Sequence, residues 1–270
     1  AIAPWTCVPQ SLPGLWKQVP RWLIDPEGPV SIRLGHSPKL MPWVLRFLAA
    51  GRSERLDPIA DGLFRLSRGS VAAYKKRLTG TGQEQLVRDS MYVHVYRNPK
   101  AASLDHLGWQ LRQARQVPIE LIDKHDLQEI EPHIADDFEA AILIKQQGRA
   151  SDPAGIGIAL AEKALAKGAK HIQTKVQEIH PDQGSGCQLV TGQGVFTAKK
   201  IVLAAGVWSC QLLARFGIKL PLEAERGYHL VLRNPGIMIN HSVMDADQKY
   251  VASLMKAGVR VAGTAEFAGL

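Results

Sequence analysis

The feature that most constrains this chain is the run Lys199-Lys200-Ile201-Val202-Leu203-Ala204-Ala205-Gly206-Val207-Trp208-Ser209. A short, β-prone apolar segment with no polar residue inside it is the pattern of a strand buried on both faces. It stops at Ala-Ala-Gly, where a helical pattern begins, so the expectation is a central strand over Lys200 to Ala204 and a strand-to-helix turn after it. Small residues at the carboxyl end of such a strand let another body approach the main chain, and in open α/β sheets that edge is where ligands sit. The plainer alternative is a tight turn that needs Gly206 only for its dihedral angles.

Composition narrows the class. A chain of 270 residues with 46% hydrophobic and 21% charged residues can bury one large core or two, and disorder is not its default. Its longest apolar runs, at Ile201 to Gly206 and Ala140 to Ile144, fall far short of the roughly 20 residues that a membrane span needs. The net charge of +8 raises the question of nucleic acid. Its cations, however, fall in short clusters such as Lys75-Lys76-Arg77 and Arg112 to Arg115, with Glu84 and Asp105 nearby, which is the pattern of solvated helix faces; no nucleic-acid partner is expected. The same excess fits a weak attraction to an anionic lipid surface. Three cysteines far apart and nine scattered histidines without H-E-x-x-H spacing give no metal site, and reduced thiols in a cytoplasmic protein are the simplest reading.

Along the chain, prolines and glycines exclude long elements before Val30, apart from a helix turn around Trp22 to Ile24. Val30 to Leu34 reads as a strand, and Ser37-Pro38 opens a helix that stops at Gly51. A second helix is expected over Pro58 to Leu78, with Ile59, Leu63, Leu66 and Tyr74 on its apolar positions. Gln85 to Tyr96 alternates and reads as one or two strands. Ser103 to Gln116 is a helix, Ile119 to Ile122 a strand, and Asp123 caps a further helix closed at Pro132. Ala140 to Lys145 is a buried strand. Asp152-Pro153 opens a helix that runs from Gly155 to Lys167 and stops at Gly168. Ala169 to His180 supplies strand residues, and Gln188 to Thr191 with Val195 to Thr197 makes a hairpin. Tyr228 to Arg233, Val251 to Met255 and Val259 to Gly263 look like antiparallel strands.

Several of these stretches, in this order, resemble the FAD-dependent amino-acid oxidoreductases of the D-amino-acid oxidase superfamily, especially the bacterial D-amino-acid dehydrogenase small-subunit group. Ala1-Ile2-Ala3-Pro4-Trp5 resembles the segment just after the family's turn beside the flavin, continued by Pro13-Gly14 and Gly28 to Arg33. Gly148-Arg149-Ala150-Ser151-Asp152-Pro153, with Val176 after a helix, resembles the segment that reaches the adenine end of FAD, and Ile201 to Gly206 the returning strand. Arg226-Gly227-Tyr228-His229-Leu230 and Gly263 to Gly269 resemble strands of the substrate domain. The family's opening G-x-G-x-x-G is absent, since neither Gly155-Ile156-Gly157 nor Gly80-Thr81-Gly82 completes it. The resemblance therefore implies an internal piece of a longer family protein. It implies an α/β (α+β) fold, with a partial Rossmann-like FAD-binding domain over 148–221 and a mixed-sheet substrate domain with covering helices over 1–147 and 222–270.

The implied chemistry is FAD-dependent oxidative deamination of a D-amino acid, with a hydride passing from the substrate α-carbon to flavin to give an imino acid and then a 2-oxo acid. A relative acting on glycine, sarcosine or a hydroxyproline isomer, or an inactive binding or structural piece, are the alternatives. The cofactor does the difficult step, so no Ser-His-Asp or paired-carboxylate site is expected and no catalytic side chain is assigned. Carried over by position, Ala1 and Ile2 lie along the flavin ring, Val176 meets adenine through its backbone, Ala204, Ala205 and Gly206 approach the pyrophosphate side, and Trp208 covers the cofactor or packs in the core. An amino acid's carboxylate wants an Arg fork or a Tyr hydroxyl. Tyr228 and Arg226 answer that need, sharing a strand face while His229 points the other way; Tyr250 and Glu266 are weaker substrate candidates, with ordinary strand residues as the alternative reading. The resemblance also implies a small-molecule amino-acid substrate, electron transfer to a membrane quinone chain and peripheral contact with the inner membrane.

Overall fold

Proline, glycine and the spacing of apolar residues set the first helices. The computed structural model describes residues 2–17, 19, 28, 30–181 and 186–269; Ala1 and the turn expected around Trp22 lie outside them. Strand β1 (Val30–Ile32) leads to α1 (Ser37–Ala50), which begins with Ser37-Pro38 as its sequence requires. The single helix expected over Pro58 to Leu78 is two, α2 (Ser53–Ser67) and α3 (Ser70–Leu78), because Gly69 takes a left-handed φ of 81° between them. Leu66, near the end of α2, and Tyr74, on α3, are 87% and 39% exposed, so neither takes the inward place that the apolar spacing predicts.

The alternating segment forms one long strand, β2 (Val87–Tyr96). The next helix, α4 (Leu107–Gln113), is shorter than the Ser103 to Gln116 expected, since Leu104 and Asp105 sit in a turn before it. Then come β3 (Ile119–Asp123), α5 (Lys124–Ile130) with the Asp123 carboxylate accepting from the Asp126 amide at 3.0 Å, and β4 (Ala140–Ala150). Helix α6 (Pro153–Ala166) precedes β5 (Val176–Pro181), β6 (Cys187–Thr191) and β7 (Gly194–Ala198). Short helix α7 (Ser209–Leu213) comes before β8 (Arg226–Leu232), β9 (Ser242–Asp245), β10 (Val251–Met255) and β11 (Gly258–Phe267).

These elements divide into two units, Ala1–Lys163 with Glu225–Ala268, and Ala164–Ala224 with Gly269–Leu270. The first holds a mixed sheet of eight strands in the order β1-β11-β10-β9-β2-β4-β3, with β8 on the other edge of β11. Pairing is parallel for β1 with β11 and for β2 with β9, and antiparallel elsewhere. Strand β4 is buried on both faces, as its apolar run requires. Ala140, Ile142 and Ile144 pack with Tyr96, Trp109 and Leu111, whereas Ala141 and Leu143 pack with Val93, Val95, Leu127 and Phe138. Full burial of a side chain such as Ile142 or Leu143 is worth about 1.5–3 kcal/mol.

The second unit contains the antiparallel sheet β5-β6-β7, turned at Gly192 to Gly194 as the hairpin glycines predict. The central strand expected over Lys200 to Ala204 does not form. No described strand pairs with residues 201–205, and Val202 is 90% exposed. An extended segment becomes a strand only when neighbours take up its N–H and C=O groups, and apolar composition alone supplies no such partner. Among the described residues no helix is long and apolar enough to cross a membrane.

Candidate functional site

In the second unit, β5 and residues 201–208 border an apolar cleft of about 930 Å³ lined by Val176, Ile179, Leu189, Ile201 to Gly206 and Trp208. Five residues singled out from the sequence, Val176, Ala204, Ala205, Gly206 and Trp208, thus come together. Gly206 has φ of 56°, and a Cβ placed on it meets nothing within 4 Å, so both its dihedral angle and an open approach to its backbone are present. Trp208, 59% exposed, stands at the cleft and not in a core. An apolar wall beside a backbone stripped of bulk fits one end of a flat nucleotide cofactor.

Ile2 belongs to the first unit. Its amide donates to the Gly148 carbonyl at 2.6 Å and its carbonyl accepts from the Gly148 amide at 2.9 Å, while its side chain packs beside the cluster of Leu78, Leu86 and Ile156.

The substrate candidates lie on the same unit's sheet. Strand register sets Arg226 opposite Glu266 and Tyr228 opposite Thr264, with a bulge at Gly263. Alternation therefore turns Arg226 and Tyr228 to one face, as the sequence implies. Both reach the same atom: Arg226 Nη1 donates to Glu266 Oε2 at 2.5 Å and the Tyr228 hydroxyl donates to it at 2.8 Å. The Tyr228 hydroxyl, then Arg226, hold the Glu266 carboxyl below the usual carboxylate range, and Glu266 in turn raises the Arg226 guanidinium. Tyr228 and Tyr250 share a groove of about 410 Å³ with Gln248 and Val261 to Thr264. Burial pushes the Tyr250 phenol up, with the Asp245 charge adding to it. Arg226 does not line that groove; it shares the Glu266 carboxylate with Tyr228 and also interacts with the Tyr228 hydroxyl.

A second polar cluster, not legible in the sequence, sits under α4. His94 is 9% exposed, its ring edge-on to Tyr92 and Trp109 with centroids 4.7 and 5.0 Å away, and its Nε2 has no hydrogen-bond partner. Burial, then the Arg112 charge, pushes its imidazole down to about 3. Arg112 lies over the Trp109 ring at 4.5 Å. Burial also pushes the Tyr92 phenol up to about 12.

Residues 35–270 match the family described as DAO, FAD dependent oxidoreductase. The chain is 34% identical over 265 residues to a D-amino-acid oxidase of Bradyrhizobium diazoefficiens, covering 97% of this chain and 62% of that protein. It is 29% identical over 286 residues to a D-amino acid dehydrogenase of the same organism, with 99% and 65% covered. Among solved structures it is similar to glycine oxidase from Geobacillus kaustophilus, with a TM-score of 0.63 and 22% identity over 86% of this chain and 57% of that one. With that fold, the chain belongs to the DAO family of FAD-dependent oxidoreductases. It spans about three fifths of the length of the curated relatives it matches. FAD is the family's cofactor, and the apolar, small-residue cleft of the second unit suits its nucleotide end.

Proposed function

We propose that this protein takes part in the FAD-dependent oxidative deamination of a D-amino acid, yielding an imino acid that water converts to the 2-oxo acid and ammonia. The observation that carries the substrate class is the convergence of Arg226 and Tyr228 on a single carboxylate oxygen. A guanidinium and a phenol aimed at one oxygen are a donor set for a carboxylate, and every α-amino acid presents one. The D-configuration rests on the relatives named for D-amino acids.

On this reading the second unit is the cofactor-binding part and the sheet of the first unit the substrate part. Val176 would meet the adenine, Ala204, Ala205 and Gly206 the pyrophosphate side, and Trp208 would shield the cofactor. FAD, when bound, supplies the acceptor for the hydride that leaves the α-carbon. The chain's own residues bind and orient: Arg226 and Tyr228 hold the substrate carboxylate, and Tyr250 closes the groove beside Tyr228. On this reading the electron acceptor is a membrane quinone chain, and the +8 charge favours peripheral contact of a cytoplasmic protein with the anionic inner membrane.

The test is the purified protein supplied with FAD: visible flavin absorbance that survives gel filtration, and dye reduction faster with D-alanine than with L-alanine. Tyr228→Phe is expected to raise KM about tenfold through loss of a hydrogen bond to a charged group. A colourless protein, or preference for the L-isomer, rejects the proposal.

A further inference from the structure

The donor pair assigned to the substrate carboxylate already holds one. Glu266 Oε2 receives both Arg226 Nη1 at 2.5 Å and the Tyr228 hydroxyl at 2.8 Å, so the chain's own carboxylate fills the position that an amino acid's carboxylate would take. The placement comes from the backbone. Arg226 and Glu266 are directly paired across β8 and β11, and Tyr228 lies two residues along on the same face. The bulge at Gly263 adjusts the register between Tyr228 and this end of β11.

The side chain of Arg226 is 52% exposed and that of Glu266 22%, so water reaches the pair. Exposed ion pairs are weak, and a carboxylate leaving such a site is rehydrated at once. A further cation, Arg33 at the end of β1, contributes to the field at Glu266, so a displaced Glu266 keeps a positive neighbour. A buried pair of the same composition would lock the donors; this one can exchange.

We propose that Glu266 is a resident carboxylate that competes with substrate for Arg226 and Tyr228, and so sets the affinity of this site for carboxylate ligands. The inference rests on the assignment of Arg226 and Tyr228 to the substrate carboxylate. It concerns binding and adds no step to the reaction. Glu266 is a competitor and not a catalytic residue, and its removal lowers KM without lowering kcat.

The experiment uses the oxidised protein with FAD, labelled with ¹³Cζ-tyrosine. The chain has five tyrosines, and the Tyr228 signal is assigned through Tyr228→Phe. Acetate, which carries the carboxylate and no oxidisable amine, is titrated into wild type, Glu266→Gln and Glu266→Ala. Unchanged Tyr92 and Tyr96 signals show that each variant is folded. The expected result is an acetate-dependent shift of Tyr228 in all three, with the dissociation constant about fivefold lower in Glu266→Gln than in wild type. KM for D-alanine falls in parallel while kcat holds. Equal or weaker acetate binding in both variants than in wild type overturns the competition and leaves the carboxylate assignment standing. No response of Tyr228 to acetate in any of the three overturns the assignment and the competition together.

Discussion

Arg97 Nη1 donates to Asp245 Oδ2 at 2.8 Å, joining the end of β2 to the end of β9 across 148 residues of sequence. Asp245 is 1% exposed and also accepts from the amides of Asp247 and Gln248 at 2.9 and 2.8 Å. Burial alone would raise its carboxyl, but these amides and Arg97 outweigh it and hold the group below the usual range.

Asp245→Ala strands three donors at once. Hydrogen bonds to a charged group are worth about 1.5–3 kcal/mol each, and the partial exposure of Arg97 lets its guanidinium recover water, so a loss of about 3 kcal/mol in unfolding free energy is expected. Urea denaturation followed by far-ultraviolet circular dichroism measures it. A loss below about 1 kcal/mol would mean that the turn closes without this carboxylate.

Acid should weaken the first unit through His94. Its folded value, down to about 3, lies below the ordinary histidine value, so the unfolded chain binds the extra proton between those limits. The stabilisation is complete above about pH 6.5 and is lost as pH falls from there toward 3, amounting to about 2 kcal/mol between pH 7 and 5. The charged groups felt by the ring, Arg112 and Lys249, act in the same direction as its burial. Burial lowers His241 as well and adds to the trend, whereas Glu131, raised by burial, opposes it. His94→Phe keeps a ring between Tyr92 and Trp109 and removes an unpartnered nitrogen. Its unfolding free energy should therefore change less between pH 7 and 5 than that of wild type; identical pH slopes for the two proteins would refute this.

Gly263 is small because the backbone just before β10 is close. A Cβ there would stand 2.7 Å from Tyr250 Cα and 2.8 Å from Tyr250 Cβ. Gly263→Ala must push Tyr250 aside, at a cost of about 1–3 kcal/mol, and it does so in the groove that Tyr250 shares with Tyr228. A lower melting temperature with raised KM for D-alanine is expected. An unchanged KM in a destabilised variant would separate the groove from the substrate site.

Ala205→Leu places a branched side chain on the cleft of the second unit. FAD affinity, read by quenching of flavin fluorescence, should fall at least about tenfold. Leu66→Gln, on α2 at a position 87% exposed and outside that cleft, serves as the companion that leaves stability in place. Undiminished FAD binding by the Ala205 variant would remove this cleft from the cofactor assignment.

The features legible in the sequence obey local rules. The apolar run at Ala140 to Ile144 is buried on both faces, Asp123 caps α5, the glycines of Gly192 to Gly194 turn a hairpin, and the i, i+2 spacing of Arg226 and Tyr228 gives them a common face. Features that were not legible depend on partners far away in the chain. The run at Ile201 to Ala205 has strand composition and no ladder neighbour among the described residues. His94 occupies a polar position in the alternation of β2, which reads as a solvent face, yet α4 covers that face with Trp109 and Arg112. Strand β9 is only four residues long and pairs in parallel with β2, a contact that no local pattern announces. Glu266 had a usable signal, its place in a strand opposite Arg226, but register had to be known before the pair could be drawn.

Strand β9 has one more consequence. Its four residues are the seam between β10 on one side and β2 on the other, so among the described residues the strand ladder passes from β1-β11-β10 to β2-β4-β3 through them. During synthesis β2, β4 and β3 are made long before that seam, and until Ser242 to Asp245 arrive the edge of β2 stays open to any extended chain that finds it. Assembly of the large sheet must wait for a loop closure of about 150 residues, the kind of distant pairing that makes folding slow.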